Sequence, residues 1–457
     1  MTVRNEHAVV IGAGVGGLLA ARVLSDLYAR VTVVERDQPV TEPTARRCVP
    51  QGRHAHALLA RGGAVMEELF PGFIAELVQC GAVTGDMLAN FRWTLSGHRL
   101  AAGRSGIRSV CGSRPLVEWQ LRNRVRALPG VTITDRCAAL GVITDQRRRT
   151  VTGLMVSRTA GRTVDDVVDC DLLVDASGRS SQTQAWLESL GYPRPDQDSL
   201  TIELAYATRH YRRRRTDLGG DLGIGVGATP EAPRGGAIIA QEDDGWIVTL
   251  AGYGADEPPL DPAGFAEFAA SLSAPDFGAL IASAEPLDDP VRYRIPTAVR
   301  RHFDAARLPA HYVPFGDTIC CFDPVYGQGM SVAATESLML RESLETSRTR
   351  PVRSFLRAAA PLLDDAWQMS CDTDLRIPTV AGTRTRRTRM ANAYAARVHR
   401  AAAADPEVGA AFLRVVNLLE RPTSLLRPQI LARVLRENRP STRTRDVPVP
   451  VPDGLRA

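Results

Sequence analysis

Lysine is absent from the 457 residues of this sequence, so arginine supplies every side-chain cation. The eight cysteines include no CxxC pair and no zinc-ligand spacing, so we predict no metal site. Their only close pair is Cys320-Cys321, and adjacent cysteines rarely suit the geometry of an unstrained disulfide. Reduced thiols are the rule in the cytoplasm, so we expect a cytoplasmic protein.

The N-terminus lacks the charged region and cleavage site of a signal peptide, because it enters an apolar strand almost at once. Residues Ala8 to Leu24 are apolar enough to mimic a membrane span. Their glycine spacing predicts a strand, a turn and a helix instead. We therefore predict no membrane span.

Charge is modest, with a net value of +5. The one basic cluster runs from Arg209 to Arg215, and contact with nucleic acid is one interpretation of it. No nucleic-acid-binding signature accompanies it, and it falls on a predicted strand and its turn. We favour a solvated face or attraction of an anionic substrate, and predict no nucleic-acid partner.

The order of apolar runs predicts an α/β protein. Its first lobe is Rossmann-like, its second is an inserted antiparallel sheet that binds substrate, and helices follow at the C-terminus. A chain of this length exceeds what one hydrophobic core usually serves. We predict a cofactor-binding domain from 1–75, 105–195 and 296–350, a substrate-binding domain from 76–104 and 196–295, a helical region over 351–439 and a flexible tail over 440–457.

A glycine-rich turn follows the first predicted strand. Gly12, Gly14 and Gly17 fit the spacing GxGxxG between a strand and a helix. Gly12 permits the tight turn, Gly14 lets the backbone approach a pyrophosphate, and Gly17 lets helix and strand pack closely. Glu35, followed by Arg36, ends the second strand, where a carboxylate accepts hydrogen bonds from ribose hydroxyls. These residues predict a dinucleotide site.

A second motif lies about three hundred residues later, where an apolar strand leads to Asp317. Its carboxylate suits the hydroxyls of a polyol. Gly327 and Gly329 let the backbone approach a planar ring, and the helix that starts near Met330 directs its N-terminal dipole there. This end of the site therefore suits a flavin.

Together these motifs resemble those of the p-hydroxybenzoate-hydroxylase-like flavoprotein monooxygenases, which carry GxGxxG, a central DG stretch and a late GD…P…G.G stretch. Here the central stretch runs from Asp171 to Arg179 and the late one from Gly316 to Gly329. Within that class the chain is similar to the lasalocid and monensin olefin epoxidases of polyether pathways. That closer resemblance lies in Val49 to His56, Ser113-Arg114 with Trp119, Asp175 to Arg179, Pro324 to Ser331 and Asp364 to Trp367.

The resemblance implies an FAD enzyme that uses O₂ and a flavin C4a-hydroperoxide to epoxidise olefins of a hydrophobic natural product, as in antibiotic biosynthesis. It implies cofactor contacts from Arg114 and Pro324 as well, and identifies no catalytic acid or base. Tyr206, Trp246 and Tyr326 are candidate pocket residues, although aromatic residues on strands are usually core. His54 and His56 are interpreted as structural rather than proton-donating residues.

One departure concerns the electron donor. In the hydroxylases the central motif has Asp directly before Gly, and that Asp is linked to both FAD and pyridine nucleotide. Ser177 occupies the position here. Its hydroxyl cannot supply the fixed negative charge of that Asp. We therefore expect the reducing equivalents of NAD(P)H to arrive as reduced flavin from a separate reductase, with direct use of NAD(P)H as the alternative.

Several alternatives are weighed against epoxidation. Aromatic hydroxylation is the main one, and reduction of prenyl chains or a flavin-carrying sensor without turnover are weaker. A flavin-dependent halogenase needs a lysine to relay the oxidant, and this chain has none.

Overall fold

The computed structural model describes residues 5–159, 163–347 and 349–438. The predicted tail over 440–457 lies outside these residues. Among the described helices, none is both long and apolar enough to cross a bilayer.

Strands and helices alternate over the first third of the chain, and helices dominate the last quarter. The strands are β1 (Asn5–Ile11), β2 (Tyr28–Val34), β3 (Val83–Asp86), β4 (Phe91–Leu95), β5 (His98–Arg99), β6 (Arg108–Cys111), β7 (Val131–Thr134), β8 (Cys137–Thr144), β9 (Val151–Thr159), β10 (Thr163–Asp169), β11 (Leu172–Asp175), β12 (Gln197–Arg212), β13 (Gly223–Val226), β14 (Arg234–Gln241), β15 (Gly245–Tyr253), β16 (Val291–Arg301), β17 (Tyr312–Pro314) and β18 (Cys320–Cys321). The helices are α1 (Val15–Leu24), α2 (Ala60–Leu69), α3 (Phe73–Gln79), α4 (Arg114–Arg126), α5 (Thr183–Ser189), α6 (Pro262–Ala270), α7 (Pro275–Ser283), α8 (Gly329–Thr346), α9 (Pro351–Asp374), α10 (Arg386–Ala402), α11 (Pro406–Val416) and α12 (Pro428–Glu437).

A parallel sheet in the order β17-β11-β1-β2-β7 forms the centre of the first lobe. Its inner strands are covered on both faces, which is why they read as continuous apolar runs rather than alternating ones. Helices α1, α4, α8 and α9 pack on one face in the largest hydrophobic core. The small sheet β10-β9-β8 covers the other.

An eight-stranded sheet forms the second lobe, in the order β18-β16-β12-β15-β14-β13-β4-β5. Its pairings are antiparallel except between β13 and β4, which run parallel. One face packs on α6 and α7, and the other faces the first lobe and α9. This mixed α/β architecture with C-terminal helices confirms the predicted fold class. The predicted residue limits of the domains stay a prediction.

Within the predicted helical region, the apolar pattern of the sequence predicts one helix from Phe355 to Trp367 and another from Pro406 to Leu435. Helix α9 is longer than the first of these, because it continues to Asp374. The second is two helices, α11 and α12, with a turn between them. Helix α10 lies within the predicted helical region over 351–439, but its bounds were not predicted. Its sequence RRTRMANAYAARVHRAA carries many arginines and few large apolar residues, so its mean hydropathy is low.

Candidate functional site

The two predicted cofactor motifs meet at one edge of the parallel sheet. The glycine turn follows β1 and the Asp317 turn follows β17, and only β11 lies between these strands. Since adjacent strands are about 4.8 Å apart, the two strand ends are separated by roughly 10 Å. The carboxyl edge of the sheet therefore forms one cleft with a motif at each side.

Positions 12 and 17 must be glycine, because a Cβ at either one would collide with backbone atoms of the same chain. Gly12 has φ +93°, and a Cβ there would lie 2.8 Å from the Ala176 carbonyl oxygen. A Cβ on Gly17 would lie 1.8 Å from the Gly12 carbonyl oxygen. Both positions therefore need glycine for the turn and for the packing of α1 on β1.

Gly14 is different, because it caps α1 in an extended conformation that any residue adopts (φ −77°). A Cβ there would meet only the tip of Arg46, at an ordinary distance of 3.7 Å. Packing within the chain does not require glycine at this position. A bare backbone beside the free N–H groups of a helix N-terminus is a cradle that suits a phosphate.

We expect Gly14→Ala to leave the free energy of unfolding within about 1 kcal/mol of wild type, as a helix N-cap change does. The added methyl should instead weaken dinucleotide binding, measured by calorimetric titration with FAD. Gly17→Ala is the control for a methyl group that does collide with the chain, and its free energy of unfolding, measured in urea, should be strongly reduced. Equal FAD affinity of Gly14→Ala and wild type would contradict the cradle.

Glu35 is buried and is the centre of an ionic network. Its carboxylate accepts hydrogen bonds from the backbone N–H of Ala13 (2.9 Å) and of Asp37 (3.0 Å) and from Arg46 (2.8 Å). A carboxylate has about four acceptor positions, so one remains for a ribose hydroxyl. The predicted role of Glu35 thus fits the geometry.

Arg46 and Arg122 balance the buried acids of this network. Arg46 also pairs with Asp37 at 3.0 Å and Glu118 at 2.5 Å, while Arg122, fully buried, donates to the Ala13 carbonyl at 2.6 Å. Nearby carboxylates raise the pKa of Arg46 despite its burial, so it stays charged. Arg36, a predicted cofactor residue, is exposed beside Cys48 and is not part of this network.

Asp317 lies in the short turn Gly316–Thr318 at the other side of the cleft. Its carboxylate is accessible to solvent, yet desolvation by the surrounding protein raises its pKa. Arg114, Arg179 and Arg301 oppose that rise. An accessible carboxylate within a desolvating cleft is suited to hydroxyl donors of a ligand.

The loop from Pro324 to Gly329 connects Asp317 to α8. Gly327 has φ +64° and its Cβ would lie 3.1 Å from Ala57, while a Cβ on Gly329 would lie 3.6 Å from an Asp317 oxygen. Pro324 opens the loop with a short helical turn. Met330 is buried and lies in the first turn of α8, where backbone N–H groups have no partner within the helix.

Arg114 and His56 lie on the remaining wall. Arg114 is the first residue of α4, with a guanidinium nitrogen 3.4 Å from His56 Nε2. His56 donates from Nδ1 to the His54 carbonyl at 2.9 Å, and burial lowers its pKa to about 3, so it is neutral. The buried Nε of Arg114 has no hydrogen-bond partner among the described residues. This orphaned donor suits a cofactor oxygen.

Tyr326 joins the loop to a buried acid pair that the sequence did not reveal. Its hydroxyl donates to Asp374 at 2.8 Å, and the Tyr253 hydroxyl lies 3.3 Å from both Asp374 and Asp323. Burial raises the pKa of Asp323 to about 6, and burial together with the charge of Asp323 raises the pKa of Asp374 further. At neutral pH the two carboxyls therefore share one proton.

Because both pKa values are raised on folding, the pair stabilises the protein below the unfolded pKa, near 4. This stability is lost as the pH rises through about 6 and above. Asp374→Asn cannot ionise, so its stability relative to wild type should increase from pH 5 to pH 8 in urea unfolding. Asp365→Asn, on the exposed side of the same helix, should show a constant difference. Parallel pH profiles for wild type and Asp374→Asn would contradict this expectation.

The candidate pocket aromatics lie on opposite faces of the eight-stranded sheet. Tyr206 faces the cleft together with Thr208 and Thr249. Trp246 packs with α6 and α7 on the other face, and its indole N–H donates to Asp217 at 3.0 Å. The structure therefore does not bring Trp246 to the site, because its position on β15 puts it out of phase with Thr249.

Asp175, in the central motif, is held by the chain itself. Its carboxylate accepts from the Ser177 N–H at 3.0 Å, the Ser181 hydroxyl at 2.7 Å and the Tyr312 hydroxyl at 3.1 Å, and also from the hydroxyls of Ser177 and Thr183. It is fully buried, so it anchors the end of β11. The Ser177 hydroxyl is likewise engaged within the chain, because it donates its hydrogen bond to Asp175.

The architecture has the same fold as solved bacterial flavoproteins. A probable FAD-dependent monooxygenase of Pseudomonas aeruginosa, PqsL, superposes with a TM-score of 0.62 at 14% identity, over 82% of this chain and 97% of that one. A flavoprotein/dehydrogenase of Cytophaga hutchinsonii gives 0.65 at 15% identity, over 94% and 98%. At these identities the likeness shows the fold alone.

The chain belongs to the same family as Protein Rv3254 of Mycobacterium tuberculosis (strain ATCC 25618 / H37Rv). The two are 33% identical over 450 residues, which is 95% of this chain and 94% of the mycobacterial one. No protein-family model matches the sequence.

Proposed function

We propose that the chain is an FAD-dependent monooxygenase that epoxidises an olefin of a polyketide or other natural-product intermediate. The observation that carries the proposal is the convergence of the Gly14 turn and the Asp317 turn on one cleft, with β11 between them. Two helix N-termini, those of α1 and α8, open onto the same edge.

The proposed cofactor contacts divide along the cleft. The pyrophosphate would lie on Gly14 and the α1 N-terminus, with Glu35 on the adenosine ribose. Arg114 and Asp317 would hold the ribityl chain. The loop from Pro324 to Met330 would flank the flavin ring with backbone. When bound and reduced, FAD supplies the chemistry, transferring one oxygen atom of O₂ to the substrate while the other leaves as water.

The substrate would enter between this loop and the cleft face of the eight-stranded sheet, where Tyr206 and Tyr326 lie. The task of the protein there is to exclude water and to hold the reacting carbon near the flavin. No acid or base is needed for transfer to an alkene.

For the electron donor we propose reduced flavin from a separate reductase. The support is that the Asp175 carboxylate and the Ser177 hydroxyl are both taken up by contacts within the chain. Rapid mixing of the FAD-loaded protein with NADPH alone should then bleach the flavin far more slowly than turnover with a reductase. Bleaching at the turnover rate would overturn this part of the proposal.

Aromatic hydroxylation is the second candidate, and the acid pair favours it. A phenol is activated by loss of its proton, and the Tyr326, Asp374 and Asp323 network contains one carboxylate that could take it.

The test is turnover under ¹⁸O₂ with an unsaturated polyketide and with a phenol as separate substrates. One ¹⁸O atom in an epoxide supports the first candidate, and one in a new phenol hydroxyl supports the second. Absence of label from both products, in protein that retains FAD, contradicts both.

A further inference from the structure

Three hydrogen-bonding side chains lie together on the cleft face of the eight-stranded sheet. Tyr206 on β12 and Tyr293 on β16 are directly opposite each other in the antiparallel pairing. The ring of His54 lies 6.0 Å from that of Tyr206 and 5.4 Å from that of Tyr293. The three rings therefore surround one small region.

The hydrogen bonds of His54 fix which nitrogen carries its proton. His54 Nδ1 lies 2.7 Å from the Thr208 hydroxyl, which lies 2.6 Å from the Thr249 hydroxyl, and the Ala55 N–H donates to Thr249. If Thr249 donates to Thr208 and Thr208 donates to Nδ1, both threonine hydroxyl protons have an acceptor. The opposite direction leaves the buried Thr249 hydroxyl proton without one, which is costly.

His54 thus accepts at Nδ1 and carries its proton on Nε2. Burial and Arg53 lower its pKa to about 4, so the ring is neutral at physiological pH. Across the described residues, no acceptor is within hydrogen-bond distance of His54 Nε2 or of the Tyr206 and Tyr293 hydroxyls. Tyr206 is 5% exposed and His54 3%, but their donor atoms keep some contact with solvent, so a ligand that enters the cleft can reach them and take the place of water.

His54, Tyr206 and Tyr293 lie near the end of the cleft that contains Asp317, where the flavin ring is proposed to bind. The charges of Asp317, Arg179 and Arg114 all act on the Tyr293 hydroxyl. The charges of Asp323 and Asp374 act on the Tyr206 hydroxyl. A carboxylate beside Tyr206 would be repelled by that pair, whereas an uncharged oxygen would not.

We propose that His54, Tyr206 and Tyr293 form a subsite that donates hydrogen bonds to an uncharged oxygen of the substrate, such as a ketone or ester carbonyl. This deepens the proposed function and rests on it, because it places the carbonyl next to the flavin end of the cleft. The reacting carbon would then be a near neighbour of that carbonyl. These residues would be specificity-determining, since a site with buried donors rejects an analogue that lacks the acceptor.

The first test needs no ligand. Protein labelled with ¹⁵N-histidine should give a His54 signal pair in which Nε2 is protonated and Nδ1 is a hydrogen-bonded acceptor, assigned by its loss in His54→Gln. Thr208→Val should abolish the hydrogen-bond shift of Nδ1. A proton on Nδ1 in the wild type would overturn the donor set.

The second test compares two probes of the same shape, 2-acetylnaphthalene and 2-ethylnaphthalene, by calorimetric titration of the FAD-loaded protein. Wild type should bind the acetyl probe about 10-fold more tightly, as expected for two or three neutral hydrogen bonds. Tyr206→Phe and Tyr293→Phe should each reduce this ratio several-fold. Tyr211→Phe, on the opposite face of the same strand, should not change it.

Equal affinity for the two probes, including no binding of either, overturns the subsite. FAD loading is measured beforehand on the same samples. Protein that loads FAD but does not discriminate the probes therefore contradicts this inference alone, and protein that fails to load FAD contradicts the proposed function.

Discussion

Alanine in place of Asp317 is expected to leave the protein folded and to weaken FAD binding about 10- to 100-fold, the loss of one charge-assisted contact. The fold should tolerate the change, because Asp317 is exposed and its carboxylate has no hydrogen-bond or ion-pair partner among the described residues. Gel filtration should yield folded but largely colourless protein, and calorimetry should give the lowered affinity.

Asp317→Asn is the matched control, since it keeps one acceptor oxygen at the same place. We expect it to retain more flavin than Asp317→Ala. Full yellow flavin in Asp317→Ala after gel filtration would show that the second motif does not hold the cofactor.

The other large effect is expected in stability. Arg46→Met removes the cation that pairs with Glu35, Asp37 and Glu118, all three of them buried; Asp37 is then without a cationic partner in the described part of the chain, and Arg122 stays only about 4 Å from the other two acids. Uncompensated buried charge typically costs 3–5 kcal/mol, so we expect a loss of about that size in urea unfolding of FAD-free protein.

Arg421→Met is the control for the loss of an ordinary ion pair. Arg421 pairs with Asp365 at 2.9 Å, but its side chain is 71% exposed and solvent screens the pair, so its loss should change the free energy of unfolding far less than Arg46→Met does. Similar losses in the two variants would mean that the Arg46 network is not a stabilising centre.

The fold was largely predictable because its signals are local. The glycines at 12, 14 and 17 lie between a buried apolar strand and an Ala/Leu-rich helix, and those at 12 and 17 are required by a few neighbouring backbone atoms. Asp317 follows a second buried strand in the same way. Parallel strands place both motifs at one edge, so the convergence follows from fold class.

Contacts between distant residues were not predictable. Arg46 and Glu118 are 72 positions apart, and no spacing rule relates them; Arg36, next to Glu35 in sequence, is exposed instead. Tyr326 and Asp374 meet only because α9 runs past the predicted segment. Trp246 and Tyr206 were both placed on strands, but the register that separates their faces is a property of the folded sheet.

The late position of β17 in the chain bears on how the protein is made. The central sheet needs Tyr312–Pro314 beside β11, and β4 needs β13, more than a hundred residues further on. Pairing across such sequence separations is slow, since the entropy of closing the intervening loop is lost before the strand contacts form. A nascent chain stopped before β17 would expose one edge of β11, a surface on which chaperones or a second nascent chain would act.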